Sequence, residues 1–174
     1  KSVSFFQTLR EDATPKNLFL TTGINLFGLV YPGLLFSYII LIRELPPPFG
    51  WKILLYSFLV IWGNDTGAYF IGSAIGKRPL APAISPNKTK EGAVGGVAIG
   101  TIVGVVYGVA TDLPLSLLLL TPIFGLIGQI GDLFESFLKR TAGVKDSGEF
   151  LPGHGGVLDR FDSALFVLPI VYYV

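Results

Sequence analysis

Long apolar stretches limit what this chain can fold into. Five of them run at about residues 18–42, 53–75, 93–110, 115–138 and from about 160 to the end. A helix needs about 20 predominantly apolar residues to cross the hydrocarbon core of a bilayer. Charged residues make up only 14% of the chain, whereas soluble proteins contain about 25%. The sequence therefore predicts an all-α, polytopic transmembrane helical bundle of about five spans, forming a single membrane-embedded domain over residues 1–174.

The basic residues are divided unevenly between the two sides of this predicted bundle. Eleven of the 13 Lys and Arg residues lie before the first span or in the 77–91 and 139–160 loops. The opposite side has only Arg43 and Lys52. Because cytoplasmic loops carry the excess of Lys and Arg, we expect an integral multi-pass protein of a cell membrane or organelle membrane, with its polar loops on the cytoplasmic side. No feature of the sequence predicts a nucleic-acid partner.

The third apolar stretch is rich in glycine at regular spacing. The pairs Gly96/Gly100, Gly100/Gly104 and Gly104/Gly108 each fit the small-xxx-small pattern, in which small residues let membrane helices approach closely. The sequence therefore predicts a tight helix contact along this span.

Ionisable side chains crowd around the end of the fourth stretch. Asp132, Glu135, Ser136 and Lys139 are spaced i, i+3, i+4 and i+7, which places them on one stripe of a helix. A charge inside the hydrocarbon is costly and usually faces a cavity or a partner. We therefore expect Asp132 to face a polar cavity, together with Asp65 of the second span. The simpler alternative is a helix-end carboxylate paired with Lys139.

Two further carboxylates, Asp159 and Asp162, share a face at the start of the fifth helix. The helix macrodipole favours an acidic residue at that position in any case. Together with Asp132, however, they form a set of three carboxylates that can converge. The chain has no cysteine and one histidine, and oxygen ligands of this kind suit Mg²⁺ rather than zinc.

Basic and hydroxyl side chains in the same loops are suited to phosphate. The candidates are Lys88, Lys90, Lys139, Arg140 and Lys145, with Ser85 and Thr89. They can neutralise a triphosphate and a phospholipid head group, although cytoplasmic lysines often serve only topology and anionic lipid contact. The glycine-rich segment 148–156 is either a phosphate-cradling loop or a plain turn, and its His154 suits a structural role as well as a catalytic one.

Taken together, these residues resemble the phosphatidate cytidylyltransferase family, also called CDP-diacylglycerol synthases. The family pattern is matched at 13 positions over 27 residues, namely Ser136, Lys139, Arg140, Lys145, Asp146, Leu151, Pro152, His154, Gly155, Gly156, Asp159, Arg160 and Asp162. The resemblance extends upstream through Gly131-Asp132-Leu133, residues 85–92 and Asn64-Asp65. It covers about residues 51–174, while residues 1–50 carry no motif that we can match.

The resemblance implies a reaction in which CMP passes from CTP to phosphatidate, giving CDP-diacylglycerol and pyrophosphate. It implies catalytic roles for Asp132, Lys139, Asp159 and Asp162, with Lys139 on phosphate. The three aspartates would hold Mg²⁺, with or without a second, monovalent cation such as K⁺. The implied substrate contacts are Ser85, Lys88, Thr89, Lys90, Ser136, Arg140, Lys145, Asp146, His154 and Arg160. A homodimer in the bilayer is implied as well.

The chain departs from the family pattern in two respects, and there are three alternatives to the family's activity. Asn87 stands where many members have lysine, and members are longer at the N-terminus, so the chain resembles their C-terminal catalytic portion. A CTP-dependent lipid kinase of the polyprenol or phytol type would share the setting but release CDP. Intramembrane Asp65 and Asp132 also occur in cation or proton transporters. The third alternative is a folded but inactive fragment.

Overall fold

A computed structural model describes residues 22–23, 25–144, 156 and 158–174 of the chain. Two compact units are distinguished, Lys1–Leu35 and Phe36–Val174. The elements are a π-helical turn (Val30–Leu34), α1 (Leu35–Arg43), α2 (Phe49–Ile75), β1 (Pro79–Ala81), β2 (Ser85–Thr89), α3 (Lys90–Ala110), α4 (Leu115–Thr141) and α5 (Leu158–Tyr172). The predicted helical architecture is confirmed, with one small hairpin added to it.

Among the described residues, three helical stretches are long and apolar enough to cross a membrane, namely Asn25–Arg43, Lys90–Ala110 and Leu115–Thr141. They match the first, third and fourth predicted spans and fit a helical membrane protein. Helix α2 has 27 residues but carries Lys52 near one end and Asp65 further along, which lowers its hydropathy. Helix α5 has 15 residues, fewer than the ~20 needed for a full crossing. Spans over α2 and α5 therefore stay predictions.

The hairpin lies in the 77–91 segment, which the sequence analysis treated as a loop. Strand β1 pairs antiparallel with β2, and Pro79 stands opposite Thr89 and Ala81 opposite Ser85. The segment contains three prolines and no apolar alternation, so nothing in it indicates a strand. A two-stranded hairpin tolerates proline because each strand has a free edge where no amide donor is needed.

The predicted tight contact of the glycine-rich span is confirmed, and its partner is α2. A Cβ atom added at Gly96 would lie 2.6 Å from the carbonyl oxygen of Asn64. One at Gly100 would lie 2.8 Å from the carbonyl oxygen of Val60. The backbones of α2 and α3 thus lie against each other, because no side chain separates them at these positions.

The apolar core of the second unit lies between α2, α4 and α5. Tyr56 of α2 is fully buried and packs edge-on against Phe124 of α4, with ring centroids 6.4 Å apart. Val167 and Leu168 of α5 are buried in the same cluster. This packing fixes the polar halves of α4 and α5 beside each other.

Pro122 interrupts the hydrogen bonding inside α4, because proline has no amide hydrogen to donate to the carbonyl of Leu118. The hydroxyl of Thr121 donates to that carbonyl at 2.8 Å. The hydroxyl of Tyr56 donates to the carbonyl of Leu117 at 2.9 Å and lies 2.6 Å from the Thr121 hydroxyl. Side chains therefore satisfy the backbone where the proline cannot.

Candidate functional site

A cavity of about 500 Å³ lies where the hairpin meets the end of α2, the beginning of α3 and the second half of α4. Its polar lining residues are Asp65, Ser73, Ser85, Asn87, Lys88, Thr89, Gln129 and Asp132. Leu80, Leu133 and Ala68 are among its apolar lining residues. The cavity therefore offers both charged and apolar surface to a ligand.

A salt bridge between Lys88 and Asp132 joins the hairpin to α4 inside this cavity. The Nζ atom of Lys88 contacts Oδ2 of Asp132. The two side chains are 30% and 29% exposed, so neither is sealed away from a ligand. The pair brings together a predicted phosphate-binding lysine and a predicted metal-binding aspartate that stand 44 residues apart in the sequence.

Two more carboxylates lie close to Asp132. Asp162 of α5 interacts electrostatically with Asp132 and with Asp65, and Asp65 interacts with both Asp132 and Lys88. Close packing causes this proximity, because a Cβ at Gly131 would lie 2.8 Å from the carbonyl oxygen of Asp162. Helices α4 and α5 therefore hold carboxylates on facing turns.

A second group of charges surrounds Lys139 near the end of α4. Its Nζ atom lies 2.6 Å from Oε2 of Glu135 and 2.7 Å from Oδ1 of Asp159. The other oxygen of Asp159 accepts a hydrogen bond of 2.7 Å from the amide of Gly156. Glu135 is 1% exposed, so its buried carboxylate depends on Lys139 for charge compensation. Through Asp159, Lys139 also ties α4 to the beginning of α5.

An amide network joins three helices at the cavity wall. The side-chain nitrogen of Gln129 donates to the Asn64 side-chain oxygen at 2.9 Å and to the Ala93 carbonyl at 2.8 Å. A backbone carbonyl only accepts, so the Ala93 contact requires nitrogen, not oxygen, at that end of the Gln129 amide. Asn64 is 1% exposed. The network therefore fixes α2, α3 and α4 around the site.

The hairpin is anchored at its open end, where β1 begins and β2 leads into α3. Oε2 of Glu91 accepts hydrogen bonds from the amides of Lys77 and Arg78, each 3.1 Å long, while its Oε1 lies 2.8 Å from Nε of Arg78. The Thr89 hydroxyl accepts from the amide of Gly92 at 3.1 Å and caps α3. These contacts set the position of Lys88 in the intervening strand.

The structure places the predicted site residues in different surroundings. Four of them line the cavity, namely Ser85, Lys88, Thr89 and Asp132. Lys90 is exposed at the start of α3, Ser136 is half-buried, and Arg160 is exposed at the start of α5. Arg140 is exposed and donates to the carbonyl of Ile84 in the hairpin at 3.3 Å. Lys145, Asp146 and His154 lie outside the described residues.

Two site residues were missed as functional candidates by the sequence analysis. Glu135 was placed on the polar stripe of α4 without a role, and Gln129 was passed over. A usable signal exists for Gln129, because an amide three residues before an intramembrane aspartate can join the same polar cluster. Its hydrogen-bond partner Asn64 directly precedes Asp65, so α2 also carries an amide side chain close to an intramembrane aspartate.

The available oxygens fit a hard divalent cation in their chemistry. Mg²⁺ typically takes one or two protein carboxylates and completes its shell with water and phosphate oxygens. Asp132 and Asp162 supply such a pair. Within residues 25–144 and 158–174, however, no group of three or more acidic or histidine side chains is placed to hold a metal ion. Asp159 instead contacts Lys139, and the metal roles of the three aspartates stay predictions.

Comparison with known proteins gives a consistent result. The sequence model of the cytidylyltransferase family matches residues 2–174, including the first 50 residues, in which we found no motif. The chain is 47% identical over 164 residues to a phosphatidate cytidylyltransferase of Bacillus subtilis (strain 168), covering 91% of this chain and 61% of that protein. It is 48% identical over 156 residues to the one of Staphylococcus haemolyticus (strain JCSC1435), covering 88% and 58%. The chain thus spans about three fifths of the length of these relatives.

Proposed function

Because the chain belongs to the cytidylyltransferase family, we propose that it carries the active site of a phosphatidate cytidylyltransferase. The reaction transfers CMP from CTP to phosphatidate and yields CDP-diacylglycerol and pyrophosphate for phospholipid synthesis. Relatives with 47% and 48% identity bear that name. The proposal extends this activity to the present chain.

The observation that carries the proposal is the Lys88–Asp132 pair in a cavity lined by both polar and apolar residues. The phosphate of phosphatidate is already an anion, so the reaction needs no strong base. Its difficulty lies in bringing two polyanions together and in stabilising the charge of an in-line displacement at phosphorus. A lysine and carboxylates beside one cavity supply these functions.

We assign a role to each of the charged residues. Asp132 and Asp162 would hold Mg²⁺, which when bound neutralises phosphate oxygens and orients them. Lys88 would bind a phosphate of CTP, with Ser85 beside it. The Nζ atom of Lys139 has two carboxylates within 2.7 Å. We therefore assign Lys139 a role in positioning Asp159, in place of the phosphate contact expected from the sequence.

The setting of the reaction forms part of the same proposal. The apolar lining residues Leu80 and Leu133 suit the acyl chains of a phosphatidate that arrives laterally from the bilayer. Basic side chains at this end of the helices favour the cytoplasmic side, where CTP is available. A homodimer is also expected, by resemblance alone.

A product assay on the purified chain tests the proposal. Labelled CTP and phosphatidate are incubated in detergent or nanodiscs with and without Mg²⁺, and CDP-lipid and pyrophosphate are followed. We expect both products, only with Mg²⁺, and their loss in the Asp132→Asn variant. Release of CDP and a phosphorylated lipid would identify a lipid kinase instead. Ion flux in sealed vesicles without CTP turnover would identify a transporter.

A further inference from the structure

The two lysines that face carboxylates at this site are held differently. Lys139 bridges Glu135 and Asp159 and is 17% exposed. Lys88 forms one salt bridge within the described ranges, with Asp132, and is 30% exposed. It extends from the two-stranded hairpin into the cavity. Lys88 is therefore the cation at this site that is able to exchange its partner.

The partner of Lys88 is also the carboxylate best placed for a divalent cation. Asp132 lies near Asp162 and Asp65, so a cation bound there would have further carboxylates beside it. The ammonium group of Lys88 contacts the Oδ2 atom of Asp132 and repels any second cation that approaches this carboxylate. Unit charges a few ångströms apart near a protein surface interact strongly enough to change binding by more than tenfold.

We propose that Lys88 is an exchangeable counter-ion of Asp132. Lys88 neutralises Asp132 when no substrate is present and leaves it when a divalent cation binds there. Its ammonium group then turns within the cavity toward an anionic ligand. That this anion is a nucleotide phosphate rests on the proposed function. The competition between Lys88 and a divalent cation for Asp132 does not rest on it.

Lysine side chains are suited to such an exchange, because their charge is a compact point on a flexible four-carbon stem. The alternative partner must also lie in the cavity, where Ser85 and Thr89 supply hydroxyl groups beside Lys88. Exchange also avoids leaving Asp132 without a positive partner in either state, which matters because an unpaired charge in a partly buried site is costly.

Binding of Mn²⁺ without nucleotide or lipid tests the competition directly. Mn²⁺ prefers the same oxygen ligands as Mg²⁺ and is followed by electron paramagnetic resonance on the purified full chain. We expect Lys88→Met to bind Mn²⁺ about tenfold or more tightly than the wild type. Lys88→Arg, which keeps the charge, should stay near the wild-type affinity. Adding Asp132→Asn to Lys88→Met should abolish the gain.

A matched control removes the same charge elsewhere. Lys77 is exposed two residues before β1, the strand opposite that of Lys88, and its side chain makes no ion pair in the described part of the chain. Lys77→Met should change Mn²⁺ affinity less than twofold. An equal gain in Lys77→Met, or no gain in Lys88→Met, would overturn the exchange.

The result is separable from the proposed function. If the wild type forms CDP-lipid while Lys88→Met shows no gain, the exchange is wrong and the transferase stands. If Lys88→Met shows the gain while the wild type forms no CDP-lipid, the exchange holds at a site with another activity.

Discussion

Replacing Gly96 with alanine tests how closely α2 and α3 are packed. The added methyl group would lie 2.6 Å from the carbonyl oxygen of Asn64 and 2.9 Å from its side-chain oxygen. Ordinary contact begins at 3.4 Å, so the shortfall at the carbonyl is about 0.8 Å. A backbone carbonyl cannot rotate away as a side chain does, and the two helices must therefore separate locally.

The cost of this separation follows from known effects of overpacking. Adding a methylene to a well-packed interior costs about 1–3 kcal/mol. The higher part of this range applies here, because the displaced residue also accepts a hydrogen bond from Gln129. Better helix propensity of alanine offsets at most about 1 kcal/mol of that cost. We expect a net loss of about 1–2 kcal/mol in the free energy of unfolding.

The assay is denaturant or thermal unfolding of the purified chain in a fixed detergent, followed by helical circular dichroism. Gly125→Ala is the matched control. A Cβ there would lie 3.6 Å from Val97 and 3.7 Å from the Asn64 side-chain oxygen, which is ordinary contact, so this variant should be at least as stable as the wild type. Equal stability of the Gly96→Ala variant and the wild type would refute the close contact, as would equal losses in the two variants.

Three further predictions concern the polar side chains. Asp132→Asn should lower Mg²⁺-dependent CDP-lipid formation at least 100-fold with unchanged circular dichroism, and near-normal turnover would refute its role as a metal ligand. Glu91→Gln should lower the free energy of unfolding by under about 1 kcal/mol, because the ion pair of Glu91 is on the surface. The same variant should speed amide hydrogen exchange across the hairpin, and unchanged exchange would show that other contacts hold the hairpin. Gln129→Leu should destabilise the fold by about 1–3 kcal/mol by removing the donor from Asn64 and Ala93. Gln129→Glu should cost at least as much, since an ionised carboxylate cannot donate, and wild-type stability of both variants would contradict the assigned amide orientation.

The helices and their closest contact could be predicted because both depend on residues near one another in sequence. Apolar length located α3 and α4, and the spacing of Gly96, Gly100 and Gly104 indicated where another backbone would approach. The identity of that neighbour could not be predicted, because one face of small residues fits many partners.

The charged contacts were predictable only where a helix fixes the spacing. Glu135 and Lys139 are four residues apart on one helix, so their proximity follows from the sequence. The contact of Lys88 with Asp132 depends on the hairpin, whose prolines and missing alternation concealed its strands. The second partner of Lys139 could not be inferred either, because its contact with Asp159 requires the approach of α5 to α4.

The side chains around Pro122 determine how α4 behaves mechanically. A proline often makes a helix bend where carbonyl groups lose their donors. Here the carbonyl of Leu118, which loses its donor, accepts from the hydroxyl of Thr121, and the neighbouring carbonyl of Leu117 accepts from Tyr56. Helix α4 consequently stays continuous past Pro122, and Tyr56 packs against Phe124 on the same stretch of the helix. The same uninterrupted helix therefore sets where Asp132, ten residues further along, stands in the cavity wall.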